Sequence, residues 1–201
     1  MNSQLRLLSL ACALLVFPTL RAQELSPRLG IGLFLSQPAG VAAGLYGSGW
    51  KANFTIHVRR EALVEGRVRF EIGEFSQGGA VLESPYTGSR NRAQTRLVGY
   101  DWLIPVGEKR PTGVDFILGI GGAHWYRQRE EYSLPGNPYP YMNSYRDDEI
   151  AFAATVGFRV RITRKFELEL HHVLTTHPGN QREFEDGELT HTALGVSFRF
   201  P

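Results

Sequence analysis

The sequence predicts an all-β molecule: an eight-stranded, antiparallel, up-and-down transmembrane β-barrel over residues 23–201, preceded by a cleaved signal peptide over residues 1–22. Three observations predict it. Apolar and polar residues alternate in long period-two runs, while hardly any segment carries a 3.6-residue apolar repeat. The connections between runs are tight at one end and mostly longer at the other. The apolar face is large, with aromatic residues placed near the run ends.

The first 22 residues stand apart from the pattern. Arg6 supplies a positive start, Leu7 to Phe17 (LLSLACALLVF) an apolar stretch, and Pro18 to Ala22 leads to a small residue. This is the build of a Sec-type export signal, and the stretch is too short to span a bilayer as a helix. Cys12 opens a lipoprotein reading, which the preceding Ser9-Leu10-Ala11 fits poorly. Cleavage removes Arg6 and Arg21 from the 22 basic residues and none of the 20 acidic ones, so the mature chain is neutral. Its basic pI is therefore no argument for nucleic acid. The single cysteine leaves as well, which rules out a disulfide scaffold.

Eight runs follow: Pro27 to Ser36, Val41 to Arg59, Ala62 to Phe75, Ala93 to Pro105, Thr112 to Arg129, Glu149 to Ile162, Lys165 to Thr176, and Glu188 to Phe200. Several exceed the 5 or 6 residues usual in soluble sheets and suit tilted strands that need about 9–11 residues to cross a bilayer. In the third, VEGRVRFEI sets Val64, Gly66, Val68, Phe70 and Ile72 against Glu65, Arg67, Arg69 and Glu71. In the fifth, Val114, Phe116, Leu118, Ile120 and Tyr126 oppose Asp115, Gly119, Gly121 and Arg127. Even numbers hold the apolar face in every later run, through Leu194, Val196, Phe198 and Phe200 in the last. Tyr46, Trp50, Tyr100, Trp102 and Tyr126 are placed on that face near strand ends. The tight connections are Arg60-Glu61, Val106 to Pro111 and Thr163-Arg164; residues 76–92 and 130–148 are expected as long polar loops, 177–187 as an intermediate one, and only Gln37 to Gly40 is short at that end.

The polar face carries Glu65, Arg67, Arg69, Glu71, Asp101, Asp115, Arg127, Arg159, Arg161, Glu167, Glu169 and Arg199. A soluble sandwich also alternates, with its charges in water. The even strand number, the aromatic apolar face, and the mixture of small residues with both signs of charge favour a narrow closed barrel instead. Eight strands leave room inside for side chains only, and buried charges are costly unless paired. Pairing across Thr163 puts Arg159 opposite Glu167, and one register of the fifth and sixth runs puts Asp115 near Arg161. Such a lumen is a plug and not a pore.

Other chemistry is sparse. His171, His172, His177 and His191 cluster in sequence beside Glu183, Glu185, Asp186 and Glu188. His171 and His191 can face each other inside the last hairpin, but no HExxH or His-x-His spacing is present, so no metal and no cofactor are expected; the bland reading is a lumenal histidine bonded to Glu169 and loop histidines in water. The segment 130–148 holds Tyr132, Tyr139, Tyr141 and Tyr145 among prolines, a contact surface of low entropy cost or a loop packed on its own rim. Asn53-Phe54-Thr55 sits mid-strand, and Gly119, Gly121 and Gly122 have no following helix to make a nucleotide loop.

With the export signal, the eight runs and the final LGVSFRF in view, the chain resembles the small outer-membrane β-barrel superfamily, the OmpA/OmpX/OmpW-like group. The resemblance implies an outer-membrane location, contact with outer-membrane lipid and lipopolysaccharide, and delivery by periplasmic chaperones to the barrel assembly machinery, whose signal the Phe198-Arg199-Phe200 ending is similar to; here Pro201 follows the aromatic. The surface ligand stays unspecified. The stretch LELHHVLTTHPGNQREFEDGELTHTALGVSF also looks like the end of PagL-type lipid A 3-O-deacylases. That resemblance places the catalytic histidine at His172, with Thr176 and Glu185 as the remaining candidates, but Leu174 stands where the nucleophilic serine is required. The leading expectation is a non-enzymatic envelope component or surface interaction protein; a deacylase relative and a soluble secreted β-barrel or sandwich binder are the alternatives.

Overall fold

The computed structural model describes residues 28–40, 42–58, 64–77, 81–84, 87–107, 112–136, 142–176 and 190–200. Residues 1–22, read above as an export signal, with Cys12, the expected Arg60-Glu61 connection, Tyr139, Tyr141, His177, the acidic residues from Glu183 to Glu188, and Pro201 lie outside them, as does the side chain of Tyr145. The described elements are β1 (Arg28–Pro38), a single helical turn α1 (Ala42–Leu45), β2 (Tyr46–Val58), β3 (Glu65–Gln77), β4 (Val81–Ser84), β5 (Thr87–Val106), β6 (Gly113–Ser133), β7 (Met142–Arg161), β8 (Phe166–Thr176) and β9 (His191–Arg199). Each strand pairs antiparallel with its sequence neighbour, β1 pairs with β9, and β3 pairs directly with β5. Eight strands thus close into an up-and-down transmembrane barrel, with β4 a short adjunct on the edge of β5.

The faces are inverted relative to a soluble protein. Leu33, Leu35, Ile72, Phe152, Phe158, Leu194 and Val196 are each half or more exposed on the outside. Lys51, Arg67, Arg69, Asp101, Arg159, Glu169 and His171 are buried inside. A soluble sandwich requires the opposite. In the described strands from Val98 to Phe200 even-numbered residues face outward, as the alternation predicts.

Three details differ from the sequence reading. Residues 87–92, 130–133 and 142–148 are strand and not loop: pairing is unbroken from Val106↔Val114 to Thr87↔Ser133 and from Gly113↔Arg161 to Tyr132↔Met142. There the outward face is polar, with Arg90, Arg92, Arg146 and Asp148 exposed, so the sequence loses its amphipathic alternation while the backbone ladder continues. Tyr46 is buried inside and packs near Ala42, because a register shift between Tyr46 and Gly49 resets the alternation of β2. The β7–β8 register sets Arg159 opposite Glu169 and Arg161 opposite Glu167. Thr163 opens this turn and does not sit at its apex: its hydroxyl accepts from the backbone N–H of Lys165 (3.1 Å) and Phe166 (2.9 Å), which carries the apex one residue on. Asp115 is near Arg161 as expected, diagonal to it across the β6–β7 ladder and 3.0 Å from its Nε, while Arg159 stands directly opposite.

Candidate functional site in the barrel lumen

In the closed order, β3 and β8 are diametrically opposite, with three strands between them on either side. Arg67 on β3 crosses the whole lumen: Nη1 and Nη2 donate to Glu169 Oε1 and Oε2 on β8 at 2.8 and 2.7 Å, and Nε donates to Asp101 on β5 at 2.8 Å. Ser197 Oγ on β9 donates to the same Glu169 at 2.8 Å. One guanidinium thereby ties three strands in fork geometry. Arg69, two residues on, donates to Thr155 on β7 at 2.6 Å and to Glu71 at 3.2 Å, and its Nε lies 3.3 Å from Asp101. Lys51 on β2 contacts both Glu71 and His191.

A second cluster fills the end with the tight turns. Arg159 donates to Asp115 at 2.7 and 2.9 Å and lies 3.4 Å from Glu167 and 3.3 Å from Glu65. Arg161 reaches Asp115 at 3.0 Å, Arg199 reaches Glu167 at 2.5 Å, and His57 Nδ1 sits 2.9 Å from Glu65. Both clusters balance. The middle one sets Lys51, Arg67 and Arg69 against Glu71, Asp101 and Glu169; the lower one sets Arg159, Arg161 and Arg199 against Glu65, Asp115 and Glu167. Neutral clusters with most donors engaged are the condition under which buried charge is tolerable.

Toward the loop end, polar packing gives way to an apolar layer of Phe75, Ala93, Trp125, Ala151, Ala153 and Val173. Phe75 stacks on Trp125 with ring centroids 6.2 Å apart, and His191 meets both edge-on. Arg127 lies beyond this layer, at the mouth, bonded to Glu149 at 2.5 Å.

The twelve charged residues of the polar face therefore all point inward, eleven into the two clusters and Arg127 at the mouth. Lys51 and His57 belong with them; the inward alternation Lys51, Asn53, Thr55, His57 along β2 is the sequence signal that locates them. His171 is held by Arg69 Nη1 (3.3 Å) and Glu71 (3.7 Å) from across the lumen, not by Glu169, and His191 by Lys51. With a cation against each imidazole, these two histidines are poor metal ligands. Among the described residues no group of three His, Cys, Asp or Glu is placed to hold a metal.

On the outer wall His172 is half-buried, and its Nδ1 lies 2.9 Å from the Thr192 hydroxyl of β9. Leu174 is exposed beside it and Thr176 is two residues further along the strand; Glu185 lies outside the described residues. Tyr132 stands near the top of β6, opposite Gly88, with Arg90 over its ring at 5.1 Å. A Cβ at position 88 would meet that ring at 2.8 Å, so a larger residue there requires the ring to shift.

Comparison with known proteins places the fold. No family model and no curated sequence matches the chain. Among solved structures it is similar to Ail, the attachment invasion locus protein of Yersinia pestis (13% identity, 89% of this chain and 100% of that one, TM-score 0.53), and to a major outer membrane protein of Thermus thermophilus (11%, 87% and 100%, TM-score 0.50). At such identity the likeness is one of fold.

Proposed function

We propose that the protein is a non-conducting, non-enzymatic barrel of the outer membrane, exported by its signal segment, delivered by periplasmic chaperones and inserted by the barrel assembly machinery, and serving as an envelope component that displays a contact surface. The observation that carries this reading is the Arg67–Glu169 pair, which spans opposite walls of the lumen. An open water path on the barrel axis would have to pass that pair and the Phe75–Trp125 stack. The contact surface is the wall raised by β5, β6 and β7, which carries Tyr132 and the segment with Tyr139, Tyr141 and Tyr145. Planar-bilayer recording tests it: the refolded protein gives no steady conductance. Steady ohmic current through the unaltered protein overturns the reading.

One observation favours a second reading, a lipid A deacylase relative. The His172 imidazole has a hydroxyl in reach after all, that of Thr192 on the neighbouring strand. A histidine–hydroxyl pair is the minimum of a nucleophilic site. Mass spectrometry of refolded protein incubated with lipid A decides between the readings. The leading one predicts no acyl release; release abolished by both His172→Ala and Thr192→Val would establish the second.

A further inference from the structure

On the outer wall the apolar band ends at a definite level, and at β5 and β6 the first residues above it are not merely polar. Arg96 lies opposite His124, and Gln94 opposite Tyr126, so four side chains form a two-by-two block facing outward. They line a cleft of about 270 Å³. Directly below stand Val98 and Gly122, and Ile72 of β3 and Ile150 of β7 flank the block on either side. Val98 and Ile72 are exposed to the surroundings of the barrel.

The charges around the block are already committed, with one exception. Glu74 pairs with Arg92, and Asp148 lies 3.5 Å from His124 Nε2. Among the described residues Arg96 makes no ion pair. An unpaired guanidinium at the boundary between hydrocarbon and water, above an apolar wall and beside an amide and a phenol that both donate, is complementary to one kind of neighbour: a lipid whose phosphate sits at the headgroup level and whose chains run down the wall.

We propose that this cleft binds the phosphate of an anionic lipid in the leaflet at the loop end. Arg96 carries the charge recognition, Gln94 and Tyr126 donate to the remaining phosphate oxygens, and Ile72 and Val98 receive the acyl chain. This site deepens the membrane reading above and rests on it. Free phosphate shares the headgroup chemistry but lacks the chains, so it gains nothing from the apolar wall.

The test is native mass spectrometry of the refolded protein released from phosphatidylcholine nanodiscs doped with diphosphoryl lipid A, or with the same lipid dephosphorylated. The unaltered protein retains the phosphorylated lipid as a bound adduct and not the dephosphorylated one. Arg96→Glu lowers the adduct by at least about tenfold, the scale of losing one cation at a membrane surface and adding repulsion. Arg96→Lys keeps most of it, and Arg164→Glu, at the opposite end of the barrel, leaves it unchanged. Gel mobility of boiled and unboiled samples checks each variant. Loss of the heat-dependent shift in the unaltered protein would undo the membrane reading itself. With the shift intact, equal adducts in Arg96→Glu and the unaltered protein, equal retention of dephosphorylated lipid, or complete displacement by millimolar inorganic phosphate would each overturn the lipid site alone.

Discussion

Arg67 has no conformational alternative inside the barrel: both ends of its fork are bonded, and the side chain is fully buried. Buried pairs are weak evidence of net stabilisation, but breaking one is costly because it strands the partner. Arg67→Ala is therefore expected to lower stability by about 3–5 kcal/mol, read as the urea midpoint of folding into vesicles, since Glu169 loses its counterion and Asp101 keeps only Arg69 at 3.3 Å. Adding Asp101→Asn and Glu169→Gln should return most of the loss. A second case of the same asymmetry lies on the outer wall. Thr192→Val leaves the His172 imidazole facing hydrocarbon without its partner and should cost about 1–3 kcal/mol, while the pair His172→Leu with Thr192→Val should be neutral or stabilising. If Thr192→Val alone changes nothing, the 2.9 Å contact has no structural weight. The outer face also sets a limit on charge: Val156→Arg, mid-strand and facing lipid, should cost about 2–4 kcal/mol, whereas uncharged polar changes at the mouth, such as Arg127→Gln, should be milder.

The strands divide into two heights. β5, β6 and β7 run 20, 21 and 20 residues, against 9 to 13 for β1, β2, β3, β8 and β9. At roughly 3.4 Å per residue and a tilt near 40°, some 20 residues rise about 50 Å, well beyond a hydrocarbon core of about 30 Å. The upper third of this wall is held by backbone pairing and surface polar contacts such as Arg90 over the Tyr132 ring, without an apolar core, since the described lumen core ends near Trp125 and Ala151. Excising Gln128 to Arg146 and joining the ends through Asn-Gly should consequently leave a barrel that still shows heat-dependent gel mobility. Failure to fold would place the wall within the folding core. The wall was illegible in the sequence for the reason that makes it dispensable: residues such as Arg90, Arg92, Arg146 and Asp148 meet water outside, and no apolar stripe betrays the strand. Turn details were hidden too. The Thr163 hydroxyl that sets the β7–β8 register competes with other turn types of equal length, and only the fold selects among them.

At the scale of the molecule, the closed barrel and its inverted faces were legible, because lipid outside and ion pairs inside impose the same period on every strand. The lumenal charges could be named from that period alone, down to Arg127 at the mouth. Their partners could not. Arg67 finds Glu169 across the full width of the lumen, 102 residues away in sequence, a relation no local pattern encodes. The shift at Gly49 that turns Tyr46 inward was equally silent. The central claim is the inversion itself, and cysteine scanning along β7 tests it most directly, since the only cysteine of the chain is Cys12, ahead of the first strand. Spin labels at residues 152 to 160 of the protein in vesicles should alternate: oxygen collides freely at even positions, and neither oxygen nor a water-soluble nickel reagent reaches the odd ones. Nickel access at Ala153, Thr155 and Arg159 would mean an open aqueous lumen, and loss of the two-residue period would mean that β7 does not separate lipid from a packed interior.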